Sequence, residues 1–511
     1  MRSKSKISGA LSLILILSVG LGFSLSSNNA RGGTGSVKVA KLIDQRSLEK
    51  FVKQHVTWTT CYGTFQCAKV TVPLDYTRPN SRTITLAVVR LLAKDQSHRL
   101  GSLLVNPGGP GGSGFDYALA AEFIVSKAVL ARYDLVGFDP RGVGRSTPIH
   151  CLTDRETDKA IALDGSPSTP TQIQALMDEA KIIADRCQVR AGTMLPFLGS
   201  INVARDMDLL RAILGDAKLN YLGKSYGTVF GTIYADVFPK RVGHLVLDGA
   251  LDPTVPNRET NIDQARGFET ALGDYITQCL KRQTCPGGKT RSQVLARIAK
   301  LVADTQTKPL PGKSSRVVTQ SLVLLGIVST LYDSVGGWPS LTLALNQAYA
   351  GDGSGLLDLT DYYVDRDTNG HYSTNSNDIA YAVNCIDKDS RASVAQMSAD
   401  AKVMAKVSPN FGAYLAWGLA PCDFWPTPPA PYPAPVSAKG AGPILVVGTT
   451  NDPATPYQWA QGLAKQLKSG VLLTYEGEGH TAYMRGSACI DRHIDAYFLL
   501  GQPPAPGTTC K

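Results

Sequence analysis

The chain is 511 residues long and carries a formal net charge of +10, and 43% of its residues are hydrophobic. This length accommodates one large α/β domain with a second domain inserted into it, and the composition is that of an ordinary globular protein. The sequence contains no basic block with interleaved aromatic residues, which argues against nucleic-acid binding.

Residues 1–30 have the pattern of a secretory signal peptide. Arg2, Lys4 and Lys6 precede an apolar run at residues 10–25, and small residues follow this run. The alternative is an uncleaved membrane anchor, although the run is shorter than a spanning helix usually requires. We therefore expect a mature protein that is secreted or associated with the cell envelope, without an integral membrane span. Peripheral attachment to an anionic envelope surface stays open.

Cysteine usage agrees with an extracytoplasmic location. All ten cysteines follow the leader: Cys61, Cys67, Cys151, Cys187, Cys279, Cys285, Cys385, Cys422, Cys489 and Cys510. An even number in an oxidising compartment indicates a disulfide framework, here of up to five bridges. The connectivity does not follow from sequence, and pairing neighbours in chain order is the simplest arrangement. The spacing contains no Cys-x-x-Cys or His-x-x-x-His pattern, so no structural zinc site is predicted.

Strand and helix patterns alternate through the first half of the chain. Residues 37–56 have a helix-favouring composition, and residues 201–214 have the apolar period of a helix. Apolar, often β-branched runs predict strands at residues 58–72, 82–92, 103–105, 133–138, 219–222 and 244–247. Because glycine-rich turns separate these elements, the pattern predicts a doubly wound, mainly parallel sheet.

The pattern changes after residue 253. Helical stretches dominate at residues 261–281, 292–305, 317–332 and 340–349, and a stiff proline-rich run follows at 425–435. Strand patterns return at residues 443–448 and 471–475. After the signal peptide we therefore predict an α/β core in two parts, 37–253 and 443–511, with a helical cap at 254–424 and a proline-rich return linker at 425–442.

The strand at residues 219–222 runs into Gly223, Lys224, Ser225, Tyr226 and Gly227, and a helical segment follows. Gly-x-Ser-x-Gly between a strand and a helix is the pattern of a nucleophile elbow, which places the serine at the amino end of the helix. Short glycine patterns also arise by chance, and the alternative is a helix-entry turn with a surface serine. A serine nucleophile needs an acid and a base, which follow it in the order Ser, Asp or Glu, His.

Two later loops supply an acid and a base in that order. Asp452 follows an apolar strand, in a turn stiffened by prolines, and the alternative is a simple turn former. Asp248 also follows a strand and is the reserve acid. His480 lies in a glycine-flanked loop after a strand, whereas His493, the other histidine beyond Asp452, lies in a predicted C-terminal helix. The sequence therefore predicts a triad of Ser225, Asp452 and His480.

The glycine-rich turn at residues 106–114 has two interpretations. It fits the dinucleotide fingerprint G-x-G-x-x-G, with Asp139 near the position of a ribose-binding acid. The other interpretation is an oxyanion-hole loop, with backbone donors from Gly108 or Gly109 and from Tyr226. We favour the oxyanion loop, because a proline interrupts the fingerprint and a secreted, disulfide-bonded protein would meet little NAD.

The motifs around these residues resemble those of secreted α/β-hydrolase peptidases of the tripeptidyl aminopeptidase type, relatives of proline iminopeptidase. The resemblance is carried by VNPGGPGGSG, YDLVGFDPRGVGRS, GKSYGT, LVLDGALDP, GTTNDPATP and GEGH. In the insertion, GGWPSLTLALNQAYAGD, YAVNCIDKD and PCDFWP look like the cap of that family. The resemblance covers about residues 58–510 and implies an α/β-hydrolase fold with a mostly helical cap inserted between two halves of the sheet domain.

Matched to the family motifs, Ser225 is the nucleophile, Asp452 the acid and His480 the base, and Gly108 and Gly109 are the oxyanion glycines. No metal or other cofactor is implied. The implied activity is that of a serine exopeptidase that releases short, tripeptide-like N-terminal peptides through an acyl-enzyme.

The chain departs from the family at one position, and the family motifs do not identify the residue that receives the N-terminal ammonium of a substrate. Proline iminopeptidases often carry histidine before Gly-Gly-Pro-Gly, where this chain has Pro107, so one polar contact is lost while the backbone donors stay. The N-terminal ammonium of a substrate needs an acidic residue of the cap. Asp387 is our nominee, the alternative being an ordinary surface charge.

Two further functions stay open. A carboxylesterase or lipase would use the same triad, because this chemistry cleaves esters more easily than amides. A non-catalytic hydrolase-fold binding protein is the third class, and an intact triad argues against it. The sequence makes no prediction about the oligomeric state.

Overall fold

The computed structural model describes residues 45–432 and 434–511. The predicted signal peptide at residues 1–30 lies outside the described residues. Within the described part of the chain, no helix combines the length and the apolar character needed to cross a membrane.

Ten strands form one sheet, and two short strands form a second. In chain order the strands are β1 (Thr59–Cys61), β2 (Phe65–Pro73), β3 (Thr83–Leu91), β4 (Gly101–Asn106), β5 (Tyr133–Phe138), β6 (Leu219–Lys224), β7 (Val242–Asp248), β8 (Leu310–Pro311), β9 (Val317–Val318), β10 (Ile444–Asn451), β11 (Gly470–Glu478) and β12 (Thr509–Cys510). The large sheet has the order β1-β2-β3-β5-β4-β6-β7-β10-β11-β12, and β8 pairs with β9. In this order, the first three pairings (β1 with β2, β2 with β3, and β3 with β5) are antiparallel, and all the following pairings, from β5 with β4 to β11 with β12, are parallel. The predicted mainly parallel sheet is confirmed.

Helices cover both faces of this sheet and build the insertion. They are α1 (Gln45–Val52), α2 (Gly114–Leu119), α3 (Ala121–Ile124), α4 (Lys127–Arg132), α5 (Asp154–Ala162), α6 (Pro170–Ala191), α7 (Ser200–Ile213), α8 (Gly227–Val237), α9 (Asn257–Lys281), α10 (Arg291–Thr307), α11 (Gln320–Leu331), α12 (Gly337–Tyr349), α13 (Ser354–Tyr363), α14 (Ser376–Asp387), α15 (Val394–Val407), α16 (Gly412–Leu415), α17 (Tyr457–Gln466) and α18 (Ala488–Leu500). The predicted helix at 317–332 begins instead at Gln320, because residues 317–318 form β9.

The central strands are apolar throughout because they are buried on both faces. Every residue of β4, β5 and β6 is buried, as expected for parallel strands between two helical layers. Leu104 packs in the hydrophobic cluster that contains residues of α7, α8 and α17, whereas Leu103 and Val105 pack with residues of α2, α4 and α18. Successive side chains thus point to opposite faces, and the sheet is doubly wound.

The helices α9 to α16 lie between β7 and β10 in the chain and form a cap. All of them except α14 contribute to a separate hydrophobic cluster, which includes Phe268, Leu324 and Trp417, whereas α14 packs in a cluster of the sheet through residues such as Ile379. Helix α6 belongs to both layers. Its Met177 packs in the cap cluster, and its Ile183 packs in a cluster of the sheet. The sequence prediction placed α6 in the sheet core, so its second contact surface was not foreseen.

All ten cysteines form disulfides between neighbours in chain order: Cys61–Cys67, Cys151–Cys187, Cys279–Cys285, Cys385–Cys422 and Cys489–Cys510. The simplest connectivity is therefore confirmed. Cys489, His493 and Cys510 come close enough together to share a metal ion. The two sulfurs are bonded to each other, however, and a disulfide does not offer the thiolates that zinc binds.

Candidate active site

Ser225 lies in a tight turn between β6 and α8. Its φ angle is +53°, in the left-handed region that residues with a side chain rarely adopt. The Ser225 N–H donates to the carbonyl oxygen of Asp248 over 2.9 Å, and the Thr228 N–H donates to the carbonyl oxygen of Ser225 over 2.8 Å. Strained positions of this kind are typical of functional sites, where the surrounding structure holds them.

The glycines on either side of Ser225 make this turn sterically feasible. A Cβ atom on Gly223 would lie 2.5 Å from the carbonyl oxygen of Gly227. A Cβ atom on Gly227 would lie 2.9 Å from the carbonyl oxygen of Asn106, in the neighbouring strand β4. Both glycines of the Gly-x-Ser-x-Gly motif are therefore required by backbone packing.

His480 and Asp452 form a buried pair in the loops after β11 and β10. The Nδ1 atom of His480 lies 2.9 Å from each carboxylate oxygen of Asp452. The side chains of both residues are almost inaccessible to solvent. A carboxylate in this position holds the imidazole in the tautomer that protonates Nδ1 and leaves Nε2 as the base.

The Asp452 carboxylate is held by further donors from the same two loops. Its Oδ1 atom accepts hydrogen bonds from the backbone N–H groups of Ala454 at 2.9 Å and Thr455 at 2.8 Å. Its Oδ2 atom accepts hydrogen bonds from the Thr455 hydroxyl at 3.0 Å and the Thr481 N–H at 3.2 Å. These hydrogen bonds fix the orientation of the carboxylate independently of the imidazole.

The cap contacts His480 directly through Tyr332, the residue that follows α11. The backbone N–H of His480 donates to the carbonyl oxygen of Tyr332 over 2.9 Å. The Tyr332 ring packs edge to face on the imidazole with 5.5 Å between ring centroids. Nε2 of His480 is buried and has no hydrogen-bond partner among the described residues, so it is available to a substrate or nucleophile.

Ser225 and His480 lie on either side of the carboxyl end of β7. The Asp248 carbonyl accepts the Ser225 N–H, and a Cβ atom on the next residue, Gly249, would lie 3.2 Å from Cε1 of His480. Lys224 and His480 also line the same cavity. The structure therefore gathers Ser225, Asp452 and His480 at one rim of the sheet, as expected for residues that follow parallel strands.

Asp248, the reserve acid, has a different set of partners. Its two carboxylate oxygens accept the backbone N–H groups of Ala482 at 2.9 Å and Tyr483 at 3.0 Å. The ammonium of Lys224 lies 3.6 Å away, and burial lowers the pKa of this lysine. Asp248 therefore braces the loop after His480, while Asp452 contacts the imidazole.

The glycine-rich turn after β4 packs directly on the elbow. A Cβ atom on Gly108 would lie 2.6 Å from the backbone nitrogen of Tyr226 and 2.5 Å from the carbonyl oxygen of Lys224. The Gly108 N–H donates to Oδ1 of Asn106 over 2.9 Å. No hydrogen bond is formed within the described residues by the N–H groups of Gly109 and Tyr226. These two donors are therefore the free pair beside Ser225.

We expect Gly108→Ala to lower kcat/KM by at least about 100-fold, because the added methyl group pushes the turn away from the Tyr226 N–H. The measurement is steady-state kinetics together with thermal unfolding. Gly440→Ala is the matched control, since Gly440 has a similar φ of +98° but no atom within 4 Å of its Cβ position. Equal losses in the two variants would attribute the effect to backbone strain alone.

Asp139, the acid of the dinucleotide interpretation, is fully buried and braces two turns. It accepts the Ser113 hydroxyl, the Phe115 N–H at 3.2 Å and the Arg145 N–H at 2.8 Å. Burial raises the pKa of this carboxyl group. Its oxygens face protein donors, so Asp139 serves to shape the glycine-rich turn.

A cavity of about 590 Å³ opens beside His480 between the sheet and the cap. Its volume is in the range of small-molecule and peptide sites. Aromatic residues of both layers line it, together with the charged residues Lys224, Asp333 and Arg485. Asp333 is the one acidic residue among the described residues of this lining, and its Oδ1 atom lies 3.5 Å from Nη2 of Arg485.

The chain is similar to several known proteins. A family model described as TAP-like protein matches residues 408–510. The serine protease Hip1 of Mycobacterium tuberculosis is 38% identical over 486 residues, which cover 91% of this chain and 92% of the relative. Carboxylesterase B of the same species is 38% identical over 488 residues, 94% of this chain and 92% of the relative. The tripeptidyl aminopeptidase of Streptomyces lividans is 34% identical over 471 residues, 89% of this chain and 86% of the relative.

The chain belongs to the TAP-like α/β-hydrolase family. This TAP-like protein is therefore a serine hydrolase, and the α/β-hydrolase fold predicted from its motifs is confirmed. Its relatives carry both peptidase and esterase names, and hydrolysis is the reaction common to these names.

In this TAP-like structure Asp387, the predicted receptor of a substrate ammonium, lies away from the cavity lining. It is buried at the end of α14, and its oxygens accept hydrogen bonds from the Ser200 N–H at 2.8 Å and the Tyr226 hydroxyl at 2.6 Å. The Ser200 hydroxyl donates to it as well. The Asp387 carboxylate is thus engaged by protein donors.

Two residues of the TAP-like site were missed from the sequence. Thr455 donates its hydroxyl to Asp452 and lies 3.3 Å from Nδ1 of His480, and its place three residues after the acid was the available signal. Tyr332 belongs to the cap, far from His480 in the chain, and no local pattern pointed to its contact with the imidazole.

Proposed function

We propose that this protein is a serine aminopeptidase that releases short peptides from the N-termini of its substrates, using Ser225, His480 and Asp452. The observation that supports it most is the Asp452–His480 pair, which leaves Nε2 free at the strand ends where Ser225 occupies a nucleophile elbow. The relatives named as serine protease and tripeptidyl aminopeptidase support peptide substrates.

In the proposed reaction, Oγ of Ser225 attacks the carbonyl carbon of the scissile bond while its proton passes to Nε2 of His480. The oxyanion is held by the N–H groups of Tyr226 and Gly109. His480 then gives the proton to the leaving amine, and an acyl-enzyme remains on Ser225. A water molecule, deprotonated by His480, releases the peptide and restores the serine hydroxyl.

Preference for a free N-terminus requires a carboxylate in the cavity, and we propose Asp333 for this role in place of Asp387. Asp333 follows Tyr332 in the cap and thus sits next to the residue that contacts His480. Its Oδ1 atom accepts the Val335 N–H over 3.0 Å and lies 3.5 Å from Nη2 of Arg485, while its side chain is 40% exposed. An ammonium group can therefore reach it.

We expect Asp333→Asn to raise KM for peptide anilides with a free N-terminus by about 10- to 100-fold, the range expected for one charge-assisted hydrogen bond. Hydrolysis of the N-acetylated peptides should change by less than about twofold, because they bring no charge to position 333. Asp304→Asn is the control, since Asp304 is an exposed acid of α10 that pairs with Lys300. Equal effects on free and blocked peptides would contradict the assignment.

The activity itself is tested with tripeptidyl p-nitroanilides that carry free or acetylated N-termini, beside p-nitrophenyl esters. The proposal expects the free peptides to be cleaved at the highest kcat/KM. Equal cleavage of free and acetylated peptides would remove the aminopeptidase assignment. The second candidate is a carboxylesterase, which the 38% identical carboxylesterase B supports, and turnover of the esters alone would favour it.

The disulfide framework also supports a place outside the cytoplasm. Five bridges and no free cysteine are typical of proteins that fold in an oxidising compartment. Together with the leader-like pattern of residues 1–30, this supports secretion or attachment to the cell envelope.

A further inference from the structure

A buried carboxylate of the cap is hydrogen-bonded to the residue that follows the nucleophile. Asp387 ends helix α14 and is 2% exposed. Its Oδ2 atom accepts the hydroxyl of Tyr226 over 2.6 Å. Tyr226 is also the residue whose N–H is one of the two free donors beside Ser225. One side chain of the cap thus reaches the residue that supplies an oxyanion donor.

Asp387 also caps a helix of the core. The Ser200 N–H at the start of α7 donates to its Oδ1 atom over 2.8 Å, and the Ser200 hydroxyl donates to Oδ2. The residue before it, Gly199, makes no side-chain cap, and a Cβ atom there would lie 2.9 Å from Asp387 Oδ1. The Asp387 carboxylate therefore takes the place of the usual N-cap side chain of α7, and its negative charge interacts favourably with the positive end of the α7 dipole.

Three hydrogen-bond donors therefore converge on the Asp387 carboxyl group, and together they favour its ionised form. The N–H and hydroxyl of Ser200 and the hydroxyl of Tyr226 all donate, so an ionised carboxylate, which only accepts, fits this position. A proton on Asp387 would face donors and force one of them to turn away.

The Tyr226 side chain is restrained on its other sides as well. Its ring packs edge to face on Phe230 of α8, with 5.7 Å between centroids. The residue is 7% exposed, and burial, followed by the nearby Asp387 charge, raises the pKa of its phenol. The hydroxyl therefore stays protonated as a donor. The Val229 N–H donates to the carbonyl oxygen of Tyr226 over 3.0 Å, so the ring, the hydroxyl and the backbone of Tyr226 are held at three separate points.

We propose that Asp387 is a positioning residue that fixes Tyr226 from the cap, so that the Tyr226 N–H is aligned for the oxyanion before the substrate arrives. This inference rests on the proposed serine-hydrolase mechanism and assigns Asp387 a role in place of the predicted contact with a substrate ammonium. Asp387 touches no reacting atom and acts through Tyr226. The effect should appear in the transition state, where the oxyanion forms, and leave ground-state binding unchanged.

The first test compares Tyr226→Phe and Asp387→Asn with the wild type. Tyr226→Phe keeps the ring and removes the hydroxyl, and we expect kcat to fall by about tenfold with KM within about twofold. Asp387→Asn places an amide N–H₂ among donors, and we expect a fall of at least about tenfold in kcat. Thermal unfolding and circular dichroism report whether each variant is folded.

The matched control is Asp378→Asn on the same helix. Asp378 is buried in α14 and accepts the backbone N–H of Cys151 over 2.8 Å, so it too joins cap and core, but it has no contact with the elbow. Its asparagine variant retains an accepting oxygen. If Asp387 served only to dock α14, Asp378→Asn would lower kcat as well, and we expect its kcat to stay within about twofold of wild type.

The pH profile supplies a second readout. Burial raises the pKa of Asp387 to about 6, against the lowering effects of Ser200, Tyr226 and Lys388. The charged and titratable groups around it are Lys388, whose pKa burial lowers to about 8, Asp252, Tyr226 and Tyr432. Protonation removes the accepting charge, so the positioning should operate above about pH 6 and be lost as the pH falls below it.

The ratio of wild-type kcat to Tyr226→Phe kcat isolates this effect, because the two proteins share every other ionisable side chain. We expect the ratio to be about ten at pH 8 and to fall towards one at pH 5. A ratio independent of pH, or a Tyr226→Phe variant with wild-type kcat, would overturn the positioning role. The substrates are a tripeptidyl p-nitroanilide and p-nitrophenyl acetate. If the wild type turned over neither substrate, the proposed function would fail instead, so the two failures are distinguishable.

Discussion

Replacing Ser225 by alanine should lower kcat for a tripeptidyl anilide by about 10⁵- to 10⁶-fold, the loss expected when the nucleophile of a Ser-His-Asp triad is removed. The backbone of residue 225 keeps its hydrogen bond to the Asp248 carbonyl in the variant, and alanine is no larger than serine. We therefore expect an unfolding temperature within a few degrees of the wild type. Steady-state kinetics measure kcat, thermal unfolding gives the unfolding temperature, and fluorophosphonate labelling reports whether a reactive serine is present.

Ser340→Ala is the control for this experiment. Ser340 lines the same cavity, and its hydroxyl donates to the Gly336 carbonyl over 2.9 Å. Wild type and Ser340→Ala should be labelled by the fluorophosphonate to the same extent, whereas Ser225→Ala should not be labelled. Labelling or turnover that persisted in Ser225→Ala would mean that another residue is the nucleophile, and the triad assignment would have to be withdrawn.

Asp452→Asn has the second largest expected effect, a fall in kcat of about 10³- to 10⁴-fold. Both oxygens of Asp452 accept backbone N–H groups from the surrounding loops, at 2.8 to 3.2 Å, so the amide nitrogen of asparagine faces a donor in either orientation. The amide can also donate to Nδ1 of His480, which moves the imidazole proton to Nε2. The base that Ser225 needs is then lost.

Asp248→Asn distinguishes the two acids that follow strands. Asp248 accepts the backbone N–H groups of Ala482 and Tyr483 and has no hydrogen bond to the imidazole. We expect this variant to lose thermal stability, because buried donors are left facing an amide, and to keep a far larger share of kcat than Asp452→Asn. Near-normal activity of Asp452→Asn beside an inactive, folded Asp248→Asn would reverse the assignment of the acid.

The sequence predicted the features that depend on local chemistry. The turn at Ser225 is indicated by two glycines, since a Cβ atom at Gly223 or Gly227 would clash with backbone atoms. The strand before Asp452 was recognisable as a buried apolar run and the strand before His480 by its strand pattern, and parallel strands bring the loops that follow them to one edge. Order along the chain and the geometry of the sheet were therefore enough to bring these loops together.

The sequence did not predict contacts made by side chains between distant segments. Oδ1 of Asn106 accepts the N–H of Gly108, so within the described chain Gly109 rather than Gly108 has a free N–H. No spacing in the sequence indicates this difference between the two glycines. Asp387 looked like an acid at the end of a cap helix, and its role depends on Tyr226, 161 positions earlier in the chain. Long-range pairs of this kind depend on how the cap docks, which leaves no periodic signal in sequence.

The connectivity of the disulfides bears on how the chain is assembled. Every cysteine pairs with its immediate neighbour among the cysteines, across separations of 6, 36, 6, 37 and 21 residues, and no loop encloses or interlocks with another. A chain that emerges from its amino end into an oxidising compartment thus exposes each partner before the next pair appears. Oxidation in order of emergence yields the native set, so correct pairing does not require thiol exchange between bridges.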